Sequence, residues 1–369
     1  MITSPNITES SELGNLFAPH RGKRMDEITT AHQEKTTRQL VMVSSLCLVT
    51  LIFAVISMGT GSSETLDMTS TMRIIFGIDN PTKLQSDIIW RLRFPRVLMA
   101  IIAGTALATA GALMQGCLGN PLVSPLTLGV ASGAALGAAF AIILDFSVIP
   151  NVAIVANAFL FSLLVVGIII QLGSMRSVSA ESYILVGIAI TFIAGAIVST
   201  LTYFATDAQL SQLTHWSFGS LSRPTLEDTI WIGATVLCLI PMSLIFAWDL
   251  NAMSLGGDDF AISTGVDPQI TRRNILILSA LLTSVVISFT GLIGFVGLAA
   301  PHMSRLIIGN DYRKLIPCSA VSGSLLMLFA DTVGRTLFSP IVIPVGIMLS
   351  IIGGPVFMYL LMRHRGVVM

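Results

Sequence analysis

Three arginines, Arg91, Arg93 and Arg96, stand immediately before a long apolar stretch rich in glycine and alanine. A guanidinium group can bind a carboxylate or a phosphate through two parallel hydrogen bonds, which also fixes the orientation of the bound group. A fourth arginine, Arg335, lies four residues after Asp331 in another apolar stretch, at the spacing that permits an ion pair within one helix. These residues predict anion recognition and an ion pair between Asp331 and Arg335.

The composition is typical of an integral membrane protein, because 53% of the 369 residues are hydrophobic and only 11% are charged. A helix needs about 20 apolar residues to cross the hydrocarbon core. We therefore predict an all-α polytopic membrane protein with about ten transmembrane helices. Only a glycine-rich run separates the seventh and eighth of these helices. The alternative is that the two form one kinked helix, which gives a total of nine transmembrane helices. The approximate ranges are 40–60, 97–116, 125–144, 151–172, 183–204, 229–248, 274–292, 294–308, 316–338 and 344–362.

The distribution of basic residues predicts the orientation. If the chain starts inside, most of the 20 Lys and Arg residues fall on the inner segments, and such an excess marks the cytoplasmic side. Residues 1–38 then form a polar cytoplasmic tail, residues 39–369 form the membrane domain with an outer loop at 61–96, and both termini are cytoplasmic. The formal net charge of zero gives no reason to expect a nucleic-acid partner.

No arrangement of residues indicates catalysis or metal binding. The four cysteines lie singly in apolar stretches and the five histidines are dispersed, without the spacing of a metal site or a redox motif. We expect no catalytic residue and no metal ligand. Small residues at every fourth position instead predict close helix packing, since this spacing lets another backbone approach. They are Gly104, Ala108, Ala112 and Gly116 in one stretch and Gly129, Gly133 and Gly137 in the next.

Two segments on the predicted cytoplasmic side interrupt the apolar pattern. Residues 116–125 carry no charge, and Pro121 and Pro125 prevent a continuous helix. Irregular backbone at this depth is tolerated only beside protein or a water-filled cavity, so the segment either lines a pathway or forms a simple reentrant turn. In residues 249–273, Asp258 or Asp259 can cap a short helix that presents apolar residues to a partner. A solvated loop is the alternative for this second segment.

The chain resembles the permease subunits of type II ABC importers, the FecCD-type family that moves iron-siderophores, haem or cobalamin. The resemblance extends from about residue 40 to the end and rests on many short motifs in the same order. These are Arg93-Phe94-Pro95-Arg96, Ala110-Gly111-Ala112-Leu113-Met114-Gln115-Gly116, Asn120-Pro121-Leu122, Leu128-Gly129-Val130-Ala131-Ser132-Gly133-Ala134, Gly294-Phe295-Val296-Gly297-Leu298, Pro301-His302-Met303-Ser304-Arg305-Leu306, Ala330-Asp331-Thr332-Val333-Gly334-Arg335 and Pro344-Val345-Gly346.

The resemblance implies a cobalamin-permease-like fold and a set of partners. A second copy or a similar permease would complete the translocation path, two cytosolic ATPases would drive it, and a substrate-binding protein would deliver the cargo. ATP and magnesium would belong to the ATPases, because this chain lacks a phosphate-binding loop motif. The segment 249–273 is similar to the family's ATPase-coupling region, and its matching residues are Leu255, Gly256, Asp258, Asp259, Phe260, Ala261 and Gly265.

The same resemblance assigns roles to the arginines and to the loops. Arg93, Arg96 and Arg335 match basic residues that meet carboxylates of the binding protein, with Arg91 as an auxiliary contact. Membrane lipid is the alternative partner, since interfacial arginines often hold lipid phosphates or extend from a helix end to the interface. A cytoplasmic gate is implied at Asn120, Leu122, Ser179 and Ala180.

The resemblance thus implies a transport subunit without enzymatic activity, in a bacterial cytoplasmic membrane. The cargo it favours is a ferric siderophore, with haem or cobalamin as alternatives. A secondary transporter driven by ions is a different hypothesis, and it would need ionisable groups near the bilayer midplane. Only Asp331 lies plainly within a predicted span, and Glu181 lies near the start of another.

Overall fold

The computed structural model describes residues 9–61, 66–175 and 179–364, and all regular structure in them is helical. The helices are α1 (Glu9–Gly59), α2 (Met68–Ile75), α3 (Lys83–Asp87), α4 (Phe94–Cys117), α5 (Val130–Ile143), α6 (Ala153–Met175), α7 (Ala180–Tyr203), α8 (Asp207–Ser217), α9 (Leu226–Ile245), α10 (Ala247–Ser263), α11 (Pro268–Thr290), α12 (Val296–Ile308), α13 (Tyr312–Thr336) and α14 (Val345–His364). The predicted all-α class is confirmed.

The membrane-spanning helices are those that the hydropathy pattern predicts. Among the described residues, seven segments are long and apolar enough to cross a bilayer, and they include α1, α4, α6, α7, α9, α11 and α13. The shorter apolar helices α5, α12 and α14 coincide with the remaining predicted ranges. The alternative of one kinked helix at the seventh and eighth ranges is wrong. Gly291 has a φ of 80° and Phe295 one of 72°, so the helix ends between α11 and α12.

The chain divides into two compact units, residues 1–45 and 46–369. In the first unit, the part described is helical from Glu9 onwards and belongs to α1, so no break in the helix marks the predicted boundary at residue 38. The second unit contains the rest of the helices and all the residues discussed below.

Helix α4 forms the core of the second unit. Its first turn contains Pro95, which has no amide hydrogen and so cannot donate a hydrogen bond to the preceding turn. Gly111 packs so closely against α12 that an added Cβ would lie 1.8 Å from the carbonyl oxygen of Gly297. Gly104 approaches α13 in the same way, 2.4 Å from the carbonyl oxygen of Gly323. The predicted close packing through small residues is therefore present on α4.

The predicted outer loop, residues 61–96, is largely helical where the structure describes it. Asp67 caps α2 by accepting a hydrogen bond from the Ser70 amide, and Thr82 and Gln85 form a capping box at α3. A π-helical turn over Ile88–Arg93 then leads directly into α4. The arginines consequently lie on a helical extension of α4 with defined positions.

We predict that Gly111→Ala destabilises the protein by about 1–3 kcal/mol, because the new methyl group has no space beside Gly297 and overpacking forces backbone shifts. Gly167→Ala is the matched control, since a Cβ on Gly167 of α6 would meet no atom within 4 Å. Thermal unfolding of both variants in detergent tests this. Equal apparent Tm values for Gly111→Ala and the control would contradict the packing described for α4.

Candidate functional site

A buried carboxylate joins two of the predicted arginines. Asp331 on α13 is fully buried, and its Oδ2 lies 2.9 Å from Nε of Arg335, four residues later on the same helix. Its Oδ1 lies 2.8 Å from Nε of Arg96 at the start of α4. The ion pair between Asp331 and Arg335 is thus formed, and Asp331 also holds Arg96. One negative charge therefore faces two positive charges.

The remaining donors of the buried arginines bind the end of α1 and the segment after it. Arg335 donates to the Thr60 carbonyl at 2.9 Å and to the Ser57 hydroxyl at 2.6 Å. Arg93, which is also buried, donates to the carbonyl oxygens of Met58, Gly59 and Leu66 and to the Thr71 hydroxyl, at distances of 3.1–3.2 Å. These arginines therefore hold the end of α1 and the residues around the start of α2 against α4 and α13.

Arg91 differs from the other three arginines because its side chain is 80% exposed. It lies 3.2 Å from Asp87 on the surface, a type of pair that contributes little to stability. All four arginines line one cavity of about 360 Å³, together with Pro95, Leu221 and Val342. The structure thus brings the predicted docking residues together at one end of the bundle, which we call the arginine end. It leaves one of them, Arg91, freely accessible.

The pairing between Arg96 and Asp331 was not predicted from the sequence. The i, i+4 spacing on α13 indicated only Arg335 as a partner for Asp331. The available signal was that Asp331 is a carboxylate in an apolar stretch, which needs compensation. Finding the second partner required knowing that α4 and α13 pack side by side.

At the opposite end of the bundle, which we call the loop end, α10 packs against the end of α4. Leu250 is buried, and its side chain and that of Tyr312 pack against Gly116 of α4. Asn251 accepts a hydrogen bond from the Tyr312 amide at 2.8 Å and donates to Asp311 at 2.9 Å. These contacts attach the first half of α10 to α4 and α13.

Asp311 caps α13 at this end and is held by Arg313, whose Nη2 lies 2.7 Å from its Oδ2. The hydrogen bond from Arg313 lowers the pKa of the Asp311 carboxyl from 3.8 to about 2. Because this pKa is depressed in the folded state, the stabilisation by the carboxylate is fully present above pH 3.8. It is lost only as the pH falls towards 2.

The coupling segment contains two helical halves. Gly256 and Gly257 have non-helical backbone angles, and the φ of 71° at Gly257 favours glycine because it has no Cβ. The second half presents Asp259, Phe260 and Ile262 on its exposed surface. At the end of the first half, Leu255 is 77% exposed.

Two of the predicted coupling residues face the protein. Ala261 is fully buried and so serves to anchor the second half. Asp258, one of the two predicted caps, is bound by Arg272 of α11 through two bonds of 2.8 and 2.5 Å. Gly265 has a φ of 87° and follows the end of the helix, as predicted.

The predicted gate residues lie on the loop after α4 and at the start of α7. Asn120 accepts a hydrogen bond from the Leu122 amide at 2.9 Å, which forms a tight turn, and the Leu122 side chain is 52% exposed. Ser179 precedes α7, and Ala180 is its first residue. Residues 176–178 lie outside the described residues. Among the residues searched, no group of three or more His, Cys, Asp or Glu side chains could hold a metal ion.

The comparison with protein families matches the FecCD transport family over residues 48–363. The chain belongs to the FecCD transport family. The match covers most of the chain, including the arginine end and the loop end. As a member, it is a transport permease subunit of the ABC importer type, and it is not itself an enzyme.

Individual relatives agree with this assignment. The chain is 40% identical to the hemin transport system permease protein HmuU of Yersinia pestis, over 75% of this chain and 84% of the relative. It is 32% identical to the Fe(3+)-citrate import system permease protein YfmE of Bacillus subtilis, over 89% and 98%. An inward-facing structure described as a metal-chelate type ABC transporter has a TM-score of 0.77 at 30% identity and covers 87% of this chain and 99% of its own.

We predict that Asp331→Asn destabilises the protein by about 3–5 kcal/mol, because the substitution leaves the buried Arg335 and the partly buried Arg96 without a negative charge. Asp87→Asn is the matched control. It removes the exposed pair with Arg91 and should cost less than about 1 kcal/mol. Thermal unfolding in detergent provides the measurement. Equal apparent melting temperatures for Asp331→Asn and Asp87→Asn would contradict the conclusion that Asp331 holds the arginine end in place.

Proposed function

We propose that the chain is the transmembrane permease of an ATP-driven importer, which receives a bulky chelate, first of all a ferric siderophore, from a substrate-binding protein. The observation that carries this proposal is the cavity lined by Arg91, Arg93, Arg96 and Arg335. In this proposal the arginine end faces outward, the loop end faces the cytoplasm, and both termini are cytoplasmic. The protein then lies in the cytoplasmic membrane as a multi-pass subunit.

The charge of the cavity suits the docking of a carboxylate. Asp331 neutralises only one of the two arginines that it binds, and Arg93 is held by neutral acceptors. The lining therefore keeps an excess of positive charge. Positive potential concentrated in a cleft with apolar walls attracts anionic groups and steers their approach. Arg91 is accessible for direct contact, while the buried arginines contribute mainly to this potential.

The exposed apolar residues at the loop end support the proposed contact with a cytosolic ATPase. Leu255, Phe260 and Ile262 expose large side chains on α10, next to the exposed Asp259. Apolar side chains that form a core with a polar rim are typical of protein interfaces. Two ATPase subunits, which would bind ATP and magnesium, complete the proposed machine.

Helix α7 supports the proposed pairing with a second permease, either another copy or a similar chain. Only 11% of the most apolar 18-residue stretch of α7 is buried. Leu185, Phe192 and Ile193 are among its exposed side chains. The remaining exposed apolar helices would contact membrane lipid. The translocation path would run between the two permeases.

The proposed cargo follows from the relatives together with the uncharged gate. HmuU is named as a hemin permease and YfmE as an Fe(3+)-citrate permease, so the cargoes of these two relatives contain iron. Asn120, Leu122, Ser179 and Ala180 carry no charge, which suits a large cargo that must pass without tight binding. Haem and cobalamin are the alternative cargoes for this chain.

We predict ATP-dependent uptake by liposomes that contain the chain with its cognate ATPase and binding protein. Radiolabelled ferric siderophore, haemin and cobalamin are supplied separately, and the siderophore should accumulate fastest. Omitting ATP should abolish uptake, while collapsing the ion gradients should leave it unchanged. Uptake that survives without ATP but stops when the gradients collapse would favour the ion-coupled transporter and contradict the proposal.

We predict that Arg91→Glu weakens association with the binding protein about tenfold, because reversal removes an attraction and adds a repulsion at the cavity mouth. Arg73→Glu is the control, since Arg73 is also exposed and paired with an aspartate but does not line the cavity. Surface plasmon resonance on permease in nanodiscs gives both affinities. Reversing a lobe carboxylate of the binding protein should partly restore binding to Arg91→Glu.

Equal binding by the Arg91→Glu variant and the wild type would contradict direct docking at this arginine. Substituting Arg93, Arg96 or Arg335 would be a poorer test, because Arg93 and Arg335 are buried, Arg96 is partly buried, and each holds the fold through its other contacts.

A further inference from the structure

Arg272, near the start of α11, contacts both α10 and the end of α4. It is 4% exposed, and its Nε donates to the carbonyl oxygen of Cys117 at 2.8 Å. Its two terminal nitrogens bind the Asp258 carboxylate at 2.8 and 2.5 Å. Cys117 is the last residue of α4, so the loop that carries Asn120 and Leu122 begins at the next residue.

The geometry makes this connection stiff. Two parallel bonds fix the plane of the guanidinium group against the carboxylate, and the third bond fixes its position against the α4 backbone. A buried guanidinium group that loses its carboxylate is left as an uncompensated charge, so the pair resists separation. Asp258 therefore cannot move far without moving Arg272 or breaking its bonds.

Helix α10 is broken directly before Asp258. Gly256 and Gly257 have non-helical backbone angles, and the side chain of Phe260 in the second half packs against Gly256. The first half of α10 is attached to α4 and α13 through Leu250 and Asn251. The second half, with the exposed Phe260 and Ile262, is attached separately, through Asp258 and Arg272.

We propose that Arg272 is a positioning residue that transmits movement of the second half of α10 to the loop after α4. A force applied to Phe260 and Ile262 reaches Asp258 within the same short helix, then Arg272, and then the Cys117 carbonyl from which the loop begins. The bridge formed by Asp258, Arg272 and the Cys117 carbonyl thus couples the partner surface to the gate residues Asn120 and Leu122. This inference rests on the proposed function, in which an ATPase acts on α10.

The test uses the full transporter in liposomes with three variants: Asp258→Asn, Arg272→Gln and the two combined. Arg73→Gln is the matched control, because it also breaks an arginine–aspartate pair but at the arginine end of the bundle. Three quantities are measured for each variant: association with the ATPase, the rate of ATP hydrolysis, and the number of ATP molecules hydrolysed per cargo molecule imported.

We expect each single variant to keep ATPase association and ATP hydrolysis within about twofold of the wild type. The number of ATP molecules hydrolysed per imported cargo molecule should rise severalfold above the wild-type value. The double variant should be no worse than either single variant, because both substitutions break the same bridge. Arg73→Gln should couple ATP hydrolysis to uptake as the wild type does.

A second readout reports directly on the gate loop. Leu122→Cys, in a background with Cys238→Ala because Cys238 is also exposed, is labelled with a water-soluble maleimide with and without ATP. The ATP-dependent change in labelling rate should be present with the intact bridge and lost in Arg272→Gln. A residue that only stabilises the fold would lower the melting temperature without removing this change.

The outcomes separate the two proposals. If the wild type neither associates with an ATPase nor imports cargo with ATP, the proposed function fails. If the wild type is coupled and the variants keep its ATP-to-cargo ratio and its labelling change, the role of Arg272 is overturned. Loss of ATPase association in Asp258→Asn would also overturn it, by placing Asp258 in the docking surface itself.

Discussion

The close approach of α4 to α12 and α13 is the constraint on which the second unit depends. At Gly104 and Gly111 the neighbouring carbonyl oxygens occupy the space that a Cβ would need. Lipid provides no hydrophobic drive between helices, so contact at this distance supplies the packing energy. Because α4 runs from the arginine cavity to the loop end, its placement positions both functional regions at once.

Arginines mark the points where other segments attach to this core. At one end, Asp331 joins Arg96 of α4 to Arg335 of α13, and Arg335 also binds the end of α1. At the other end, Arg272 joins Asp258 to the last residue of α4. A buried cation is costly without a partner, so each of these arginines specifies which segments lie together. These arginines therefore hold helices together, and the same contacts limit their access to a ligand.

These structural contacts explain why the sequence predicts the arginine site only in part. The motif that contains Arg93 and Arg96 is visible in the sequence, and so is the i, i+4 pair of Asp331 and Arg335. The sequence does not show how accessible they are. In the structure, Arg93 binds the carbonyl oxygens of Met58, Gly59 and Leu66, whereas the side chain of Arg91 is exposed. Within residues 249–273, the sequence likewise indicates that Phe260 faces a partner and that Asp258 or Asp259 caps the helix, but it does not indicate the bond between Asp258 and Arg272.

The sequence by itself determined the membrane class, the approximate ranges of the apolar helices, the family and the local pair on α13. Hydropathy, helix length and i, i+4 spacing are properties of neighbouring residues, so they can be identified along the chain. Only the tertiary structure decided the break between α11 and α12, the second partner of Asp331 and the bridge through Arg272. Arg96 and Asp331 are 235 residues apart, and Arg272 and Cys117 are 155 apart. Which buried charge meets which partner depends on how the helices pack.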